Sequence, residues 1–181
     1  MATGFSPLNV YRKPAMKIKI FATGGTFDKV YYDAKSDFQI GEPMAGSILE
    51  EGGATFDFEI ESILKKDSLD INRSDREMIK QKVTQDVHDK IIIIHGTDTM
   101  VATAMHLLDI KGKTIVLTGA MQPARMRTTD ANYNMGVATS AVQLLAPGVY
   151  VAMNGQIFDP RTTVKNVAQR RFEQKSGTPS I

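Results

Sequence analysis

Hydrophobic residues fall into short runs along this chain, and glycine or polar residues follow each run. One of these runs is four consecutive isoleucines at 91–94, which is too short to cross a membrane. Continuous β-branched residues are typical of a central parallel strand that is buried on both faces. A His-Gly pair ends the run, and Thr97, Asp98 and Thr99 stand where a helix should begin. We therefore expect the fold to be organised around this strand.

Other apolar positions recur with the period of strands or of helices. They predict strands at 17–21, 56–60, 114–117 and 149–153 and helices at 43–51, 74–88, 99–109 and 130–145. The second helix is expected to open on a capping box of Ser74 and Glu77 and to include Val87 in its buried stripe. The order βαβαβαβαβ predicts an α/β fold with a flavodoxin- or Rossmann-like three-layer parallel sheet in a single domain.

Several segments show no such period. The segment 28–41 carries two tyrosines, and it is either a lid over a site or an ordinary surface loop. An Asn-Gly pair predicts a hairpin turn into a short extended piece at 156–158. The basic end, 170–181, is expected to be a domain terminus or a linker. Residues 1–15 are expected to be an N-terminal extension of a domain that covers 16–181.

Two strands end in similar polar turns. In open α/β sheets, ligands bind beyond the carboxyl ends of the strands, where Thr97 and Asp98 are expected to lie. A single Thr-Asp-Thr sequence could instead be a helix N-cap. However, the strand at 17–21 is also followed by a glycine turn, which ends at Thr26. Both turns therefore deliver a threonine hydroxyl to the same edge of the sheet.

Composition narrows the classes of function. The chain has 181 residues, of which 42% are hydrophobic and 23% charged, and its formal net charge is +2. These values fit a globular domain and give no case for nucleic acid or a membrane as partner. The absence of cysteine excludes disulfides and thiolate ligands, and it fits a cytoplasmic location. With only three scattered histidines, no metal site is expected.

Four motifs occur in an order that resembles a known family. They are Ala-Thr-Gly-Gly-Thr at 22–26, His-Gly-Thr-Asp-Thr at 95–99, Gly-Ala-Met-x-Pro at 119–123 with Asp130 and Asn134, and Met-Asn at 153–154 with Asp159 and Lys165. Together they resemble the signatures of the bacterial L-asparaginases. The larger members of that family carry a second, C-terminal domain, and this chain resembles the short members that lack it.

The resemblance implies an amidohydrolase that converts L-asparagine to L-aspartate and ammonia without metal or organic cofactor. Thr26 would be the nucleophile, and Thr97, Asp98 and Lys165 would form a second catalytic group. Asp98 would also hold the substrate's α-ammonium group, and Ser68 its α-carboxylate.

Glycine completes the predicted substrate site. Gly24 and Gly25 lack a Cβ atom and would let backbone N–H groups approach the substrate and stabilise an oxyanion, an effect worth roughly 3–4 kcal/mol per donor. Gly25 and Gly96 are expected to line the substrate site. A threonine hydroxyl is inert at its free pKa, so it also needs a neighbouring base or a hydrogen-bonded relay.

The chain departs from the larger enzymes at three points. Phe38 occupies the position of a lid tyrosine, so Tyr31 or Tyr32 would have to serve Thr26, and Tyr32 is favoured. Leu69 stands where a polar substrate contact is usual. The third departure is the missing second domain. Because the family builds its sites across subunit contacts, a homodimer or homotetramer is expected.

Alternative functions remain open at this level. The substrate could be glutamine or another small amide, or the fold could be a catalytically impaired module that binds asparagine or aspartate. A phosphate-binding nucleotide domain is disfavoured, because neither glycine turn has the required spacing. We expect His95 to be structural, and Arg125 and Arg127 to belong to a solvated loop rather than an anion site.

Overall fold

The computed structural model describes residues 16–32 and 37–175, which form a central sheet covered by helices on both faces. The strands are β1 (Lys17–Gly24), β2 (Lys29–Tyr32), β3 (Asp37–Ile40), β4 (Asp57–Lys66), β5 (Lys90–Ile94), β6 (Thr114–Thr118), β7 (Gly148–Met153), β8 (Gln156–Phe158), β9 (Thr163–Asn166) and β10 (Arg171–Gln174). The helices are α1 (Ala45–Glu51), α2 (Arg73–Gln85), α3 (Met100–His106) and α4 (Ala131–Leu144).

The main sheet has the strand order β4-β1-β5-β6-β7-β8. Its first five strands are parallel, and β8 runs antiparallel to β7 at the edge. Counted along the chain, the parallel strands have the order 2-1-3-4-5 of a flavodoxin-like sheet. The predicted fold class is therefore confirmed.

Strand β5 forms the centre of this fold. Its four isoleucines are completely buried. Ile92 and Ile94 belong to the core cluster under α1 and α4, whereas Ile91 and Ile93 belong to the cluster under α2 and α3. Because the strand is covered on both faces, every position can be apolar, as the sequence predicted.

Helix α2 differs from its prediction at both ends. Its capping box is formed by Asn72 and Asp75, each of which precedes its predicted counterpart in the sequence. The helix ends at Gln85, because Asp86 adopts an extended backbone and its carboxylate accepts the N–H of His88. Val87 is consequently 90% exposed, and its predicted place in the buried stripe is wrong.

The segment 28–41 is an ordered hairpin in its described part. Strands β2 and β3 pair antiparallel, with Tyr31 opposite Phe38. The base is closed by a hydrogen bond from the Gly41 N–H to the Asp28 carbonyl, at 2.8 Å. The segment is therefore not an ordinary surface loop, and the sequence did not show this because strands of four residues are too short to show a period. Its role as a lid stays a prediction.

The C-terminal part is more structured than expected. The predicted hairpin turn is confirmed, with Asn154 and Gly155 both at positive φ between β7 and β8. Residues 171–174, predicted as terminus or linker, form β10 and pair with β9. The predicted extension at 1–15 and the last residues, 176–181, lie outside the described residues. Within the described ranges, no helix is long and apolar enough to cross a membrane.

Candidate active site

The candidate site lies where β1 and β5 end side by side. In the main sheet β1 lies between β4, which follows it along the chain, and β5, which comes after β4. The strand order therefore reverses here, at the kind of switch point where open α/β sheets bind ligands. The Thr23 hydroxyl donates to the Ile94 carbonyl at 2.9 Å and joins the ends of the two strands. The turns that follow therefore start from a fixed position.

Two glycines allow the turns to touch. A Cβ on Gly25, whose φ is 75°, would lie 2.5 Å from the Gly96 Cα atom. A Cβ on Gly96 would lie 2.6 Å from the Ser68 Cβ. Three turns thus meet at backbone distance, and Thr26 and Thr97 each follow one of the touching glycines. The predicted substrate-binding residues Gly25, Gly96 and Ser68 are brought together.

Lys165 reaches this point from β9. Its Nζ donates to Thr97 Oγ1 at 2.7 Å and to Asp98 Oδ1 at 2.6 Å. The Lys165 side chain is 15% exposed, whereas that of Asp98 is 41% exposed, so the ion pair opens to solvent on the Asp98 side. The structure therefore brings Thr97, Asp98 and Lys165 together across 67 and 68 residues of sequence.

Ser68 is held by the turn after β5. Its buried hydroxyl accepts the Asp98 N–H at 3.3 Å, and its carbonyl accepts the Thr99 hydroxyl at 2.7 Å. Thr99 makes no side-chain cap to α3, so the helix-cap explanation of this motif does not describe it. Leu69 points outward and is 72% exposed.

Thr26 begins a single 3-10 turn, Thr26–Asp28. It is half-buried, and its hydroxyl makes no hydrogen bond to any residue in the described ranges. The turn is braced from the other side, because the buried Asp28 carboxylate accepts the Met44 N–H next to α1. Burial raises the pKa of Asp28 to about 6, although the Met44 N–H and the charge of Arg125 act in the opposite direction.

An ion pair connects the hairpin β2–β3 to the Ser68 turn. Lys29 Nζ lies 2.7 Å from Asp67 Oδ2, and both side chains are partly buried. Asp67 also accepts the Leu69 N–H and caps the turn that carries Ser68. Burial acts to raise the pKa of Asp67. The Lys29 ammonium and the N–H groups of Leu69 and Ser68 outweigh this effect and hold the pKa below its usual value.

Among the described residues, no contact joins the Tyr31 side chain to this cluster. The Tyr31 ring is half exposed and packs edge-to-face on Phe38, with centroids 5.3 Å apart. Strand β2 includes the backbone of Tyr32, but its side chain lies outside the described part of the protein. Arg125 and Arg127 are exposed on the loop before α4.

His95 lies beneath the site in a buried network. The Gly96 carbonyl can only accept, so the His95 Nδ1 carries the proton in the 2.8 Å bond between them. Nε2 then accepts the Thr103 hydroxyl at 2.9 Å, and Arg76 donates to that hydroxyl oxygen. Burial lowers the pKa of His95 to about 4, and the Gly96 hydrogen bond offsets only part of this effect. This neutral, fully bonded imidazole agrees with a structural role.

We expect His95 to make the protein less stable in acid. Because its pKa is near 6.5 in the unfolded chain and about 4 in the folded protein, only the unfolded state gains this proton as the pH falls between those values. The resulting loss is roughly 3 kcal/mol when complete. His95→Gln should remove it, so the stability difference between variant and wild type should shrink from pH 7 to about pH 4.5 in urea unfolding. A constant difference would contradict this assignment.

A chain of hydrogen-bonded polar side chains lies beside the site, and the sequence alone assigned no role to it. Asp130 begins α4 but does not cap it; its carboxylate accepts the N–H groups of Met121 and Gln122 and the side-chain amide of Asn134. Asn134 in turn accepts the N–H of Asn154. The signal for these residues was that Asp130, Asn134 and Asn154 stand within the four motifs, whose spacing does not show that they bond to one another. Within the described part of the chain, no group of three acidic or histidine side chains could hold a metal ion.

Several known proteins are similar to this chain. Residues 17–178 match the family described as Asparaginase, N-terminal. L-asparaginase 2 of Escherichia coli is 32% identical over 159 residues, which cover 82% of this chain and 46% of that protein. The glutaminase-asparaginase of Pseudomonas fluorescens is 29% identical over 180 residues, which cover 88% of this chain and 49% of that protein. The chain thus spans about half the length of these curated relatives.

Solved structures show the same relationship. The thermostable L-asparaginase from Thermococcus kodakarensis superposes with a TM-score of 0.75 at 27% identity, over 88% of this chain and 51% of that one. A probable cytoplasmic L-asparaginase from Campylobacter jejuni gives 0.72 at 27% identity and the same coverage. Since the family match includes nearly all of the described residues, the chain belongs to the asparaginase family.

Proposed function

We propose that this chain hydrolyses L-asparagine to L-aspartate and ammonia, with Thr26 as the nucleophile. The observation that carries the proposal is the contact of Lys165 with both Thr97 and Asp98, beside the turn that presents Thr26. A lysine that is mostly buried against a hydroxyl and a carboxylate is unusual on a purely structural surface.

The hydrogen bonds leave the reactive groups free. Because Lys165 donates to the Thr97 oxygen, the Thr97 proton remains available to point into the site. In the proposed reaction the Thr26 oxygen attacks the side-chain amide carbon, and the Thr26 proton passes to the departing ammonia. Water then hydrolyses the acyl ester and restores the Thr26 hydroxyl. The backbone N–H groups of the touching turns would stabilise both oxyanions.

The hydrogen bonds of Asp98 and Ser68 also support a zwitterionic substrate. Asp98 uses Oδ1 for Lys165, and its side chain is 41% exposed, so the second oxygen can accept the α-ammonium group. Ser68 accepts the Asp98 N–H, so its hydroxyl proton is free for the α-carboxylate. The Leu69 side chain can donate no further contact there. The runner-up substrates are glutamine and other small amides, in keeping with the name glutaminase-asparaginase of the Pseudomonas fluorescens relative.

Ammonia release from L-asparagine and from L-glutamine, measured with the purified chain, tests this proposal. We expect a higher kcat/KM for asparagine. Thr97→Val preserves the shape of the residue but removes the hydroxyl that Lys165 binds, so kcat should fall about 10²- to 10⁴-fold. A higher kcat/KM for glutamine would favour glutamine as the substrate. Full activity of Thr97→Val would overturn the proposed catalytic role of Thr97 and Lys165.

The Thr26 hydroxyl makes no hydrogen bond to a described residue, and this favours one alternative, a binding module that has lost the chemistry. In that case asparagine or aspartate would raise the unfolding temperature without ammonia release. If the chain is an enzyme, Tyr31 or, preferably, Tyr32 would supply the missing partner. Full turnover by both Tyr31→Phe and Tyr32→Phe would exclude this role.

Assembly and location complete the proposal. We expect a homodimer or homotetramer in which a partner chain supplies groups to the site, and a fully active monomer in sedimentation experiments would refute this assembly. A cytoplasmic location stays a prediction from the composition.

A further inference from the structure

The hairpin that carries Lys165 is separate from the main sheet. Among the described residues, β9 and β10 pair with each other and with no other strand. The ladder of the main sheet therefore does not determine where Lys165 lies. Its position depends on how this small hairpin is attached.

One attachment lies directly opposite the lysine. Phe172 is the register partner of Lys165, and its buried ring belongs to the core cluster under α2 and α3. The Phe172 N–H donates out of the hairpin to Asn154 Oδ1, at 2.7 Å. The two strands of the hairpin are also joined to each other at its open end, where the Lys175 N–H donates to the Thr162 carbonyl at 2.7 Å. The bond to Asn154 is the one that lies at the level of the lysine.

Asn154 is itself fixed. Its φ is 53°, a conformation that asparagine tolerates better than most residues, and its N–H donates to Asn134 Oδ1 at 3.1 Å. Asn134 is completely buried, and its amide donates to Gly119 and to Asp130. A continuous chain of hydrogen bonds thus runs from the start of α4 to the strand beside Lys165.

We propose that Asn154 is a positioning residue for Lys165, because its side chain fixes the hairpin through Phe172 at the point from which the ammonium reaches Thr97 and Asp98. Its catalytic consequence rests on the proposed function. The two lysine contacts measure 2.7 and 2.6 Å, so a shift of the hairpin by about 1 Å would lengthen both beyond good hydrogen bonds. Displacements of this size can cost about 100-fold in rate.

Two substitutions separate the acceptor from the backbone. Asn154→Gly keeps the positive φ but removes the acceptor, whereas Asn154→Asp keeps an acceptor for the Phe172 N–H. We expect Asn154→Gly to lower kcat by about 10- to 100-fold with KM nearly unchanged. Asn154→Asp should restore most of the activity. In a Lys165→Ala background, Asn154→Gly should cause no further loss of kcat.

Thr114→Val is the control for a general loss of stability. This buried hydroxyl donates to the Leu145 carbonyl at the opposite end of the sheet. The variant should unfold at a lower temperature and keep the wild-type kcat at about 25 °C. If Thr114→Val and Asn154→Gly lower kcat equally, the positioning role is wrong.

A second readout does not depend on activity. Acetylation of Lys165 by acetic anhydride, followed by mass spectrometry, reports whether Nζ is held in its contacts. Asn154→Gly should speed this acetylation by about threefold or more, because the charge-assisted bonds to Nζ are lost, and Asn154→Asp should not. Equal rates in the three proteins would overturn the proposal. If the wild type releases no ammonia, the proposed function fails, but the acetylation rates still decide the positioning role.

Discussion

Thr26→Ala is expected to abolish ammonia release, lowering kcat by at least about 10⁴-fold, as removal of a nucleophile does in other covalent hydrolases. The fold should be unaffected. The Thr26 hydroxyl makes no hydrogen bond to a described residue, so its removal leaves no buried group unpaired. We therefore expect the unfolding temperature to change by less than about 2 °C. Continuous ammonia assays and thermal unfolding measure the two quantities.

Thr26→Ser is the matched control for the nucleophile. Serine keeps the hydroxyl on the same 3-10 turn, so activity should remain within about tenfold of wild type. A Thr26→Ala protein that still turns over asparagine would show that another group attacks the amide. The Thr97 hydroxyl, in contact with Lys165, would then be the first candidate.

Gly25→Ala should be strongly destabilising as well as inactive. The new Cβ would lie 2.5 and 2.6 Å from the Cα and N atoms of Gly96, and these backbone atoms cannot rotate away as a side chain can. The residue would also be held at a φ of 75°, which is unfavourable for alanine. Overpacking and backbone strain together should lower the free energy of unfolding by about 2–5 kcal/mol.

Gly112 offers a closely matched control for this substitution. Its φ is 76°, but apart from its two chain neighbours no described residue has an atom within 4 Å of the position that a new Cβ would take, so Gly112→Ala has the strain without the collision. It should cost only about 1–2 kcal/mol in urea unfolding and leave kcat unchanged. Equal losses in the two variants would mean that the turns at 25 and 96 can separate easily, and the close contact would not define the site.

Much of the architecture could be predicted because it follows from burial. The four isoleucines of β5 include no polar residue that could face solvent, and all four are buried in the structure as expected. Lys19 shows the limit of such patterns. Its side chain is basic, yet it is buried, and its Nζ lies 2.7 and 3.0 Å from carboxylate oxygens of Glu59 and Glu61 on β4. Pairing across strands cannot be derived from the pattern of a single strand.

The candidate site was predictable to a similar extent. Thr97 and Asp98 could be assigned because parallel strands end at one edge, and Lys165 because of its motif; their chemical roles stay predictions. The hairpin β9–β10 and the bond between Asn154 and Phe172 could not be predicted. The bond joins residues 18 positions apart through one side-chain oxygen, and neither the hydrophobic pattern nor the spacing of the sequence indicates such a bond.

The hairpin β2–β3 also has a thermodynamic consequence. In the described part of the chain its two strands pair only with each other, so the hairpin can open locally while the main sheet stays intact. Its amide hydrogens should then exchange with solvent faster than those of β5. Because Lys29 on β2 binds Asp67 at the Ser68 turn, such opening is linked to that turn. By reciprocity, a ligand that orders the Ser68 turn should slow amide exchange in the hairpin.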